Sequence, residues 1–461
     1  MDETAARPRR AGGVLWTPER RTTTAGVLLV VTLVAFENMG VATAMPTMVA
    51  DLDGTALYAW PFLAFLIASV VSTVLSGRLC DRHGPARSLL FGPTVFLAGL
   101  LVAGLAGSMP VLLLGRMLQG LGTGTLLVAV YLLIALVYPD RERPVIYAAN
   151  AAAWVLPAVL GPSVAGMVTE HLHWRWVFLG LVPLGLVGIA LLALVVRGLP
   201  VHHPDSGQRR ASVPAAVAAA VGVTSVTWAA QHPSGQALVL GAAGLVVLTM
   251  ALRRLLPSGT LRGRRGLPTV VASRALLGAC FAGVEAYLPL TMSNVHGYPP
   301  ALAGLPLTVG ALGWSAASAL QGRHPDWPRE TLLRIGFALV GAGLLGFALI
   351  AQPWAPGWPA FAVSMTAGAG MGIAMPSISV LLLRFSAVAE RGFNTSAMQL
   401  GDWVGSALAI GFGGVLLTVL ASATRPSIAV GVLGITLAAV ALLGVSLTRR
   451  WPPRPAVGTT L

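Results

Sequence analysis

Apolar residues in this chain fall in long uninterrupted runs. They show neither the spacing of a helix with one wet face nor the alternation of a half-buried strand. Fourteen runs are readable: 25–49, 57–77, 88–107, 110–138, 145–169, 176–196, 213–231, 236–252, 269–290, 301–321, 332–351, 358–383, 394–421 and 427–447. About twenty apolar residues carry a helix across the hydrocarbon core of a bilayer. Inside lipid only helices and closed barrels satisfy their backbone groups, and these runs lack the period-two pattern of barrel strands. The pattern predicts an all-α integral membrane protein. Runs 213–231 and 236–252 are short and bounded by polar linkers; without them twelve spans remain and the topology of the rest is unchanged.

Composition removes the soluble alternative. Of 461 residues, 56% are hydrophobic and 10% charged, and the mean hydropathy is +0.79; soluble domains carry about 25% charged residues. The net charge of +14 sets 30 basic residues, all arginine, against 16 acidic ones. With the N-terminus inside, 26 arginines fall in eight inner segments, Arg175 and Arg425 in outer loops, and Arg116 and Arg274 within spans. That asymmetry is the positive-inside pattern. It accounts for the basic balance without a nucleic-acid partner, and places both termini in the cytoplasm of a multi-pass cell-membrane protein, a bacterial inner membrane being the expected setting. The segment MDETAARPRRAGGVLWTPERR is similar to the start of a signal peptide, but the following run is too long and contains Glu37, so an uncleaved first helix is expected. Cys80 in an inner loop and Cys280 in a span predict neither a disulfide nor a metal cluster. Without lysine there is no Walker A sequence.

The chain repeats. AMPTM at 44–48 and YLPLTM at 287–292 each close the first span of a six-span block. Gly77, in SGRLCDRHGPARS at 76–88, lies 31 residues after Pro46; Gly322, in QGRHPDWPRETL at 321–332, lies 33 after Pro289. Gly77 and Asp81 are spaced as Gly322 and Asp326 are. Many secondary transporters are built from such weak repeats, with the binding site between them near the midplane. The expected organisation is a cytoplasmic tail at 1–24, an N-terminal six-helix bundle at 25–196, a linker at 197–268 holding two inserted helices, a C-terminal six-helix bundle at 269–447, and a cytoplasmic tail at 448–461.

Several segments resemble one family. GRLCDRHGPAR at 77–87 resembles the loop signature of the major facilitator superfamily; LLLGRMLQGLGTG at 112–124 resembles its fourth-helix signature; LGPSVAG at 160–166 is similar to the Gly-Pro antiporter signature of its fifth helix. HWRWVFLGLVP at 173–183, GAGMGIAMPS at 368–377 and ERGFNTSAMQLGDWVGSALA at 390–409 resemble segments of the 14-helix drug:proton antiporters. The chain departs from the pattern at three places. Glu37 lies close to the position of the usual first-helix Asp, Ala148 and Pro157 stand where the fifth helix has glycines, and Leu181 replaces an Asn. The resemblance implies two six-helix bundles related by a pseudo-twofold axis, plus two inserted helices. It also implies conformational gating by Gly77, Asp81, Arg82, Gly84 and Arg87 in the loop and by Gly161 and Pro162 in the fifth helix, with Asp81 capping a helix end across the domain interface.

The intramembrane charges are the remaining candidates. Asp81 is expected to begin a tight turn whose path Gly84 permits; a solvated turn is the plainer account. An arginine at a helix centre costs about 2.5–3.5 kcal/mol on insertion scales, so Arg116 should face the bundle interior, with Gln119 on the same face. Glu37 lies near the midplane and is expected to face Arg116, either as a proton site or as a static packing pair. Burial disfavours the charged form of a carboxyl and a neighbouring arginine favours it, so a carboxyl between those pulls can load and release a proton. Glu285, on the first span of the second block, is offset from Glu37 by about 7.5 Å along the axis. Asp402 is a third intramembrane acid. For both, coupling and structural satisfaction stay open. The proton-coupling candidates are therefore Glu37, Arg116, Glu285 and Asp402. Cavity candidates are Glu37, Asn38, Gln119, Asn150, Trp154 and Glu285. Gly120, Gly122 and Gly124 imitate a nucleotide loop, but without a preceding strand they read as close helix packing.

These readings converge on a proton-coupled antiporter that exports hydrophobic or amphipathic small molecules by alternating access. No cofactor is expected beyond the coupling proton, and no enzymatic step. The expected partners are a small lipophilic substrate and the lipid bilayer, around a monomer. A lipid or nutrient carrier of the same fold, working as a symporter, is the alternative; a non-transporting sensor or scaffold is the distant one.

Overall fold

The computed structural model describes residues 15–139, 142–199, 212–232, 234–324, 326–387, 390–420 and 426–449. Among these residues fourteen helices are long and apolar enough to cross a membrane, and no strand occurs. They are α1 (Arg21–Asp51), α2 (Trp60–His83), α3 (Ala86–Gly104), α4 (Met109–Val137), α5 (Arg143–His171), α6 (Val182–Arg197, preceded by the single turn Trp176–Leu179), α7 (Val213–Gln231), α8 (Gly235–Leu255), α9 (Leu267–Asn294), α10 (Pro300–Arg323), α11 (Arg329–Ile350), α12 (Ala360–Phe385), α13 (Arg391–Val419) and α14 (Ser427–Arg449). The two short runs flanked by polar linkers are both full helices, α7 and α8.

Helix packing repeats between the blocks. In the first, α1 packs on α5 and α6, α4 on α2 and α3, and α3 on α6. In the second, α9 packs on α13 and α14, α12 on α10 and α11, and α11 on α14. This is the pseudo-twofold arrangement of two six-helix bundles. Glycines make the tight α2–α4 and α10–α12 contacts possible. A methyl on Gly120 would overlap the Phe65 carbonyl, and one on Gly372 would overlap the carbonyl of Trp314. Small hydroxyls seal the first seam, where Ser69 and Ser76 donate to the carbonyls of Gly120 and Thr125 at 3.1 Å each. The inserted pair packs on itself, and α7 also touches α2 and α13, one from each half.

Contacts also sort the ends of the bundle. At the arginine-rich end Arg20 pairs with Glu142, and Arg384 with Glu330 at 3.1 Å. At the arginine-poor end Asp51 accepts from Trp174 Nε1 at 2.9 Å and Arg175 at 3.2 Å, and Trp354 and Trp358 stand exposed as an aromatic belt would. Arg425 lies outside the described residues.

The halves meet through α1–α9, α2–α13 and α5–α10. Ser163 and Thr308 share a hydrogen bond of 3.2 Å, and Glu170 accepts from the Ala301 amide, in the first turn of α10, at 3.3 Å. Thr43 of α1 packs on Gly304 of α10. The Tyr58 hydroxyl, just before α2, donates to the Ala286 carbonyl of α9 at 2.7 Å. All of these contacts lie toward the arginine-poor end, so the two halves are closed on one another there.

The structure corrects two readings of the loop signature. Asp81 does not begin the turn, and Cys80 is not in a loop. Helix α2 continues through both to His83, with Cys80 buried. Gly84 ends it, at φ 74° and ψ 173°, with its amide bonded to the Cys80 carbonyl at 2.8 Å. That backbone region is essentially open to glycine alone, so the turn falls where the glycine is.

Candidate functional site

Two pairs of opposite charges lie inside the bundle, and Glu285 stands apart from them. Glu37 sits mid-way along α1, and Arg116 two turns into α4. Both are buried, and the structure brings them together: Arg116 Nη1 donates to Glu37 Oε1. The same nitrogen donates to Gln119 Oε1 at 2.6 Å, Nε donates to the Pro61 carbonyl at 3.2 Å, and the guanidinium lies 4.6 Å from the centre of the Phe65 ring. Three helices therefore fix one arginine. The carboxylate is held at one oxygen only. Glu37 Oε2 and Gln119 Nε2 are buried with no hydrogen-bond partner among the described residues. An unpartnered buried polar atom costs roughly 1–3 kcal/mol, and a proton on Oε2 would convert it from an unmet acceptor into a donor.

The second pair was not foreseen. Arg274 of α9 donates from Nη2 to Asp402 Oδ2 of α13 at 2.6 Å, and Gln399 donates to the same oxygen at 3.3 Å. Arg274 Nη1 also contacts the Met375 sulfur of α12. This pair is less enclosed than the first: its side chains are 21% and 11% exposed, against 2% and 0% for Arg116 and Glu37. A signal was present in the sequence. Arg274 is the intramembrane arginine left without a role, five residues into its span from the arginine-rich end, and Asp402, already a coupling candidate, lies eight residues into its own from the same end.

A cavity of about 110 Å³ lies between the halves. Its wall comes from Asn38 and Ala42 of α1, Phe62, Phe65 and Leu66 of α2, Arg116 of α4, Ala282, Glu285 and Ala286 of α9, and Ser406 and Ile410 of α13. Of the residues expected there, Asn38 and Glu285 line it. Glu37 and Gln119 do not; they reach it only through the Arg116 guanidinium. Asn150 and Trp154 are also outside the lining. The face of α5 is set by its packing on α1 and α10, which leaves Asn150 buried with Oδ1 unpartnered. Glu285 is half-buried and makes no hydrogen bond or ion pair with another described residue, so the cavity wall carries one paired cation and one unpaired acid. Chemically, the site can hold a mainly apolar molecule, answer a polar or positive group at Glu285, and move a proton at a carboxylate. Among the described residues no group of His, Cys, Asp or Glu could hold a metal.

The gating candidates of the fifth helix lie on the inter-half seam. Gly161 of α5 faces Met39 of α1, and the Pro162 carbonyl approaches Gly304 of α10. Arg82 and Arg87 are exposed at the arginine-rich end, and nothing approaches Gly77. Asp81 is described for its helical backbone alone.

Comparison with known proteins agrees with this architecture. A family model described as Major Facilitator Superfamily matches residues 27–410. An uncharacterized MFS-type transporter of Mycobacterium tuberculosis is 28% identical over 422 residues, 87% of this chain and 60% of the relative. The multidrug transporter protein MdtP of Bacillus subtilis is 25% identical over 412 residues, 84% of this chain and 73% of the relative. Multidrug resistance protein 3 of the same organism is 34% identical over 164 residues, 36% of this chain and 32% of the relative. The chain thus spans 60% of the length of the mycobacterial relative. Among solved structures, the peptide transporter POT in complex with alafosfalin superposes with a TM-score of 0.70 at 15% identity, covering 93% of this chain and 94% of that one. At that identity the likeness is one of fold.

Proposed function

The chain belongs to the major facilitator superfamily, and from that premise we propose that it is a proton-coupled antiporter exporting hydrophobic or amphipathic small molecules. The observation that carries this reading is the Glu37–Arg116 pair, sealed in the bundle interior and touching through Arg116 an inter-half cavity lined mostly by apolar side chains. An intramembrane acid is expensive, and its retention is by default a functional hypothesis. Proton uptake at Glu37 Oε2 weakens the hold on Arg116. That guanidinium is part of the cavity wall, so the proton and the cargo act on one group. Alternating access follows from the halves: the arginine-poor end is closed here, and rocking about α1–α9 opens it. By the positive-inside rule the arginine-rich end is cytoplasmic. Cargo then enters from the cytoplasmic side and leaves at the other.

The energetics allow it. One charge moved through 100 mV is worth about 2.3 kcal/mol, and a tenfold concentration ratio costs about 1.4 kcal/mol. Relatives bearing multidrug names support the cargo class. The test is proton flux in proteoliposomes against lipophilic cations, neutral antibiotics and lipids. Antiport requires that adding a transported compound drive protons the opposite way; movement in the same direction would make the protein a symporter, and no proton movement with intact substrate flux would end the coupling claim.

A further inference from the structure

Two buried tyrosines close the cavity on the side of the arginine-poor end. The Tyr58 hydroxyl donates to the Ala286 carbonyl at 2.7 Å, and the Tyr287 hydroxyl donates to the Ile410 carbonyl at 2.6 Å. Ala286 and Ile410 both line the cavity. The two rings meet at a tilt of 36° with centroids 5.5 Å apart, and Tyr58 also meets Phe62 of the lining at 6.1 Å. The two bonds differ in kind. Tyr287 and Ile410 belong to the same half, so their bond survives any rigid rocking. Tyr58 belongs to the first half and Ala286 to the second, so their bond exists only while the arginine-poor end is shut.

The carbonyl that Tyr58 holds is next to Glu285. Pro289 lies inside α9, and a proline removes the amide that would bond the carbonyl four residues before it. That carbonyl is Glu285's. The turn carrying the unpaired acid therefore lacks one helical hydrogen bond, and Tyr58 grips its next residue from the opposite half. We infer that Tyr58 is the positioning residue of this transporter's arginine-poor gate: its cross-half hydrogen bond to Ala286 holds the closed state and ties gate opening to the helical turn that bears Glu285.

The inference rests on the transport reading above, so its first readout is conformation, which needs no transport. In a cysteine-free background, Thr43→Cys is introduced on α1, where the side chain is buried against Gly304 of the other half. A membrane-impermeant maleimide applied from the arginine-poor side reports opening. Tyr58→Phe keeps the ring and removes the donor. A net hydrogen bond shifts an equilibrium by about two- to tenfold, so labelling should rise by that factor, and the substrate concentration for half-maximal transport should change with it. Tyr287→Phe, which breaks a bond within one half, should leave labelling unchanged. Equal labelling in Tyr58→Phe and the parent would overturn the inference, as would an equal rise in Tyr287→Phe. A rise in labelling with no substrate flux in any variant would sink the transport reading alone. Should Tyr58→Phe fail to accumulate, Ser163→Cys with Thr308→Cys probes the same seam, where the two hydroxyls lie 3.2 Å apart. Their disulfide should stop transport and its reduction restore it; transport at the parent rate while cross-linked would equally overturn the gate.

Discussion

Arg274 and Asp402 mirror Arg116 and Glu37: in each half an arginine on one helix is bonded to an acid on another, inside the bundle. The mirror is imperfect. The first-half pair joins the first and fourth helices of its block, and the second-half pair joins the first and fifth. The first is sealed, whereas the second keeps partial exposure.

That difference yields a prediction about the second pair. Breaking a buried pair by removing one partner costs about 3–5 kcal/mol, while replacing both with apolar groups can be neutral. Partial exposure should reduce the first figure, because solvent screens the remaining charge. Asp402→Leu alone should lower membrane abundance severalfold, and Arg274→Met with Asp402→Leu should restore most of it. If the double variant recovers abundance and pH-driven transport, the pair is structural. If it recovers abundance but loses coupling, Asp402 shares the proton with Glu37.

Much of the fold was legible because lipid imposes a simple demand. A spanning helix needs an unbroken apolar run, and all fourteen runs are helices. The ends were less legible, since a helix does not stop where hydrophobicity does. Helix α1 starts at Arg21, four residues before its run, and α2 runs on through Gly77 to His83, ending where Gly84 takes a positive φ. At the site, Glu37 with Arg116 was readable from depth, as each needed a partner at the midplane. Tyr58 was not. Its partner is a backbone carbonyl 228 residues away, and nothing in local spacing marks such a bond. Asn150 and Trp154 looked equally good as cavity residues, but the face a helix presents to its neighbours is decided by packing.

Sidedness gives a second prediction. If the arginine-rich end is cytoplasmic, a cysteine placed in the loop at 139–144 should react with an impermeant reagent in inverted vesicles and stay silent in intact cells. Trp358→Cys, at the exposed arginine-poor end, should do the reverse. Labelling of both from outside would mean that the arginine distribution had been misread.

The loop after α2 supports a third. Gly84 occupies backbone space costing other residues about 1–3 kcal/mol, so Gly84→Ala should move or fray the helix end and reduce both abundance and transport. Asp81→Asn changes charge without changing shape. If the loop latches a conformation, it should lower transport severalfold at similar abundance, because it alters an equilibrium between states. Parent-like turnover in Asp81→Asn would leave this helix end with topological arginines and no latch.

The last prediction concerns Glu37 itself. Its carboxylate meets Arg116 at Oε1 and no partner at Oε2 among the described residues. Glu37→Gln keeps shape and one acceptor for Arg116 but cannot ionise, so it mimics the protonated state permanently. The variant should fold, still bind cargo in the cavity, and exchange it down a gradient. Uphill transport driven by a pH difference should fall to background, because no proton is carried. Glu37→Asp keeps the charge on a shorter stem and should retain part of the uphill rate. Arg116→Lys keeps the charge too, but the single ammonium cannot reproduce the separate bonds from Nη1 and Nε to Glu37, Gln119 and Pro61. It should therefore lower the rate more than Glu37→Asp does. The decisive measurement is the ratio of uphill to exchange transport in matched vesicles. A parent-like ratio in Glu37→Gln would move the coupling role to Glu285, the unpaired acid of the cavity wall, or to Asp402, and would leave Glu37 as the counter-ion that keeps Arg116 in place.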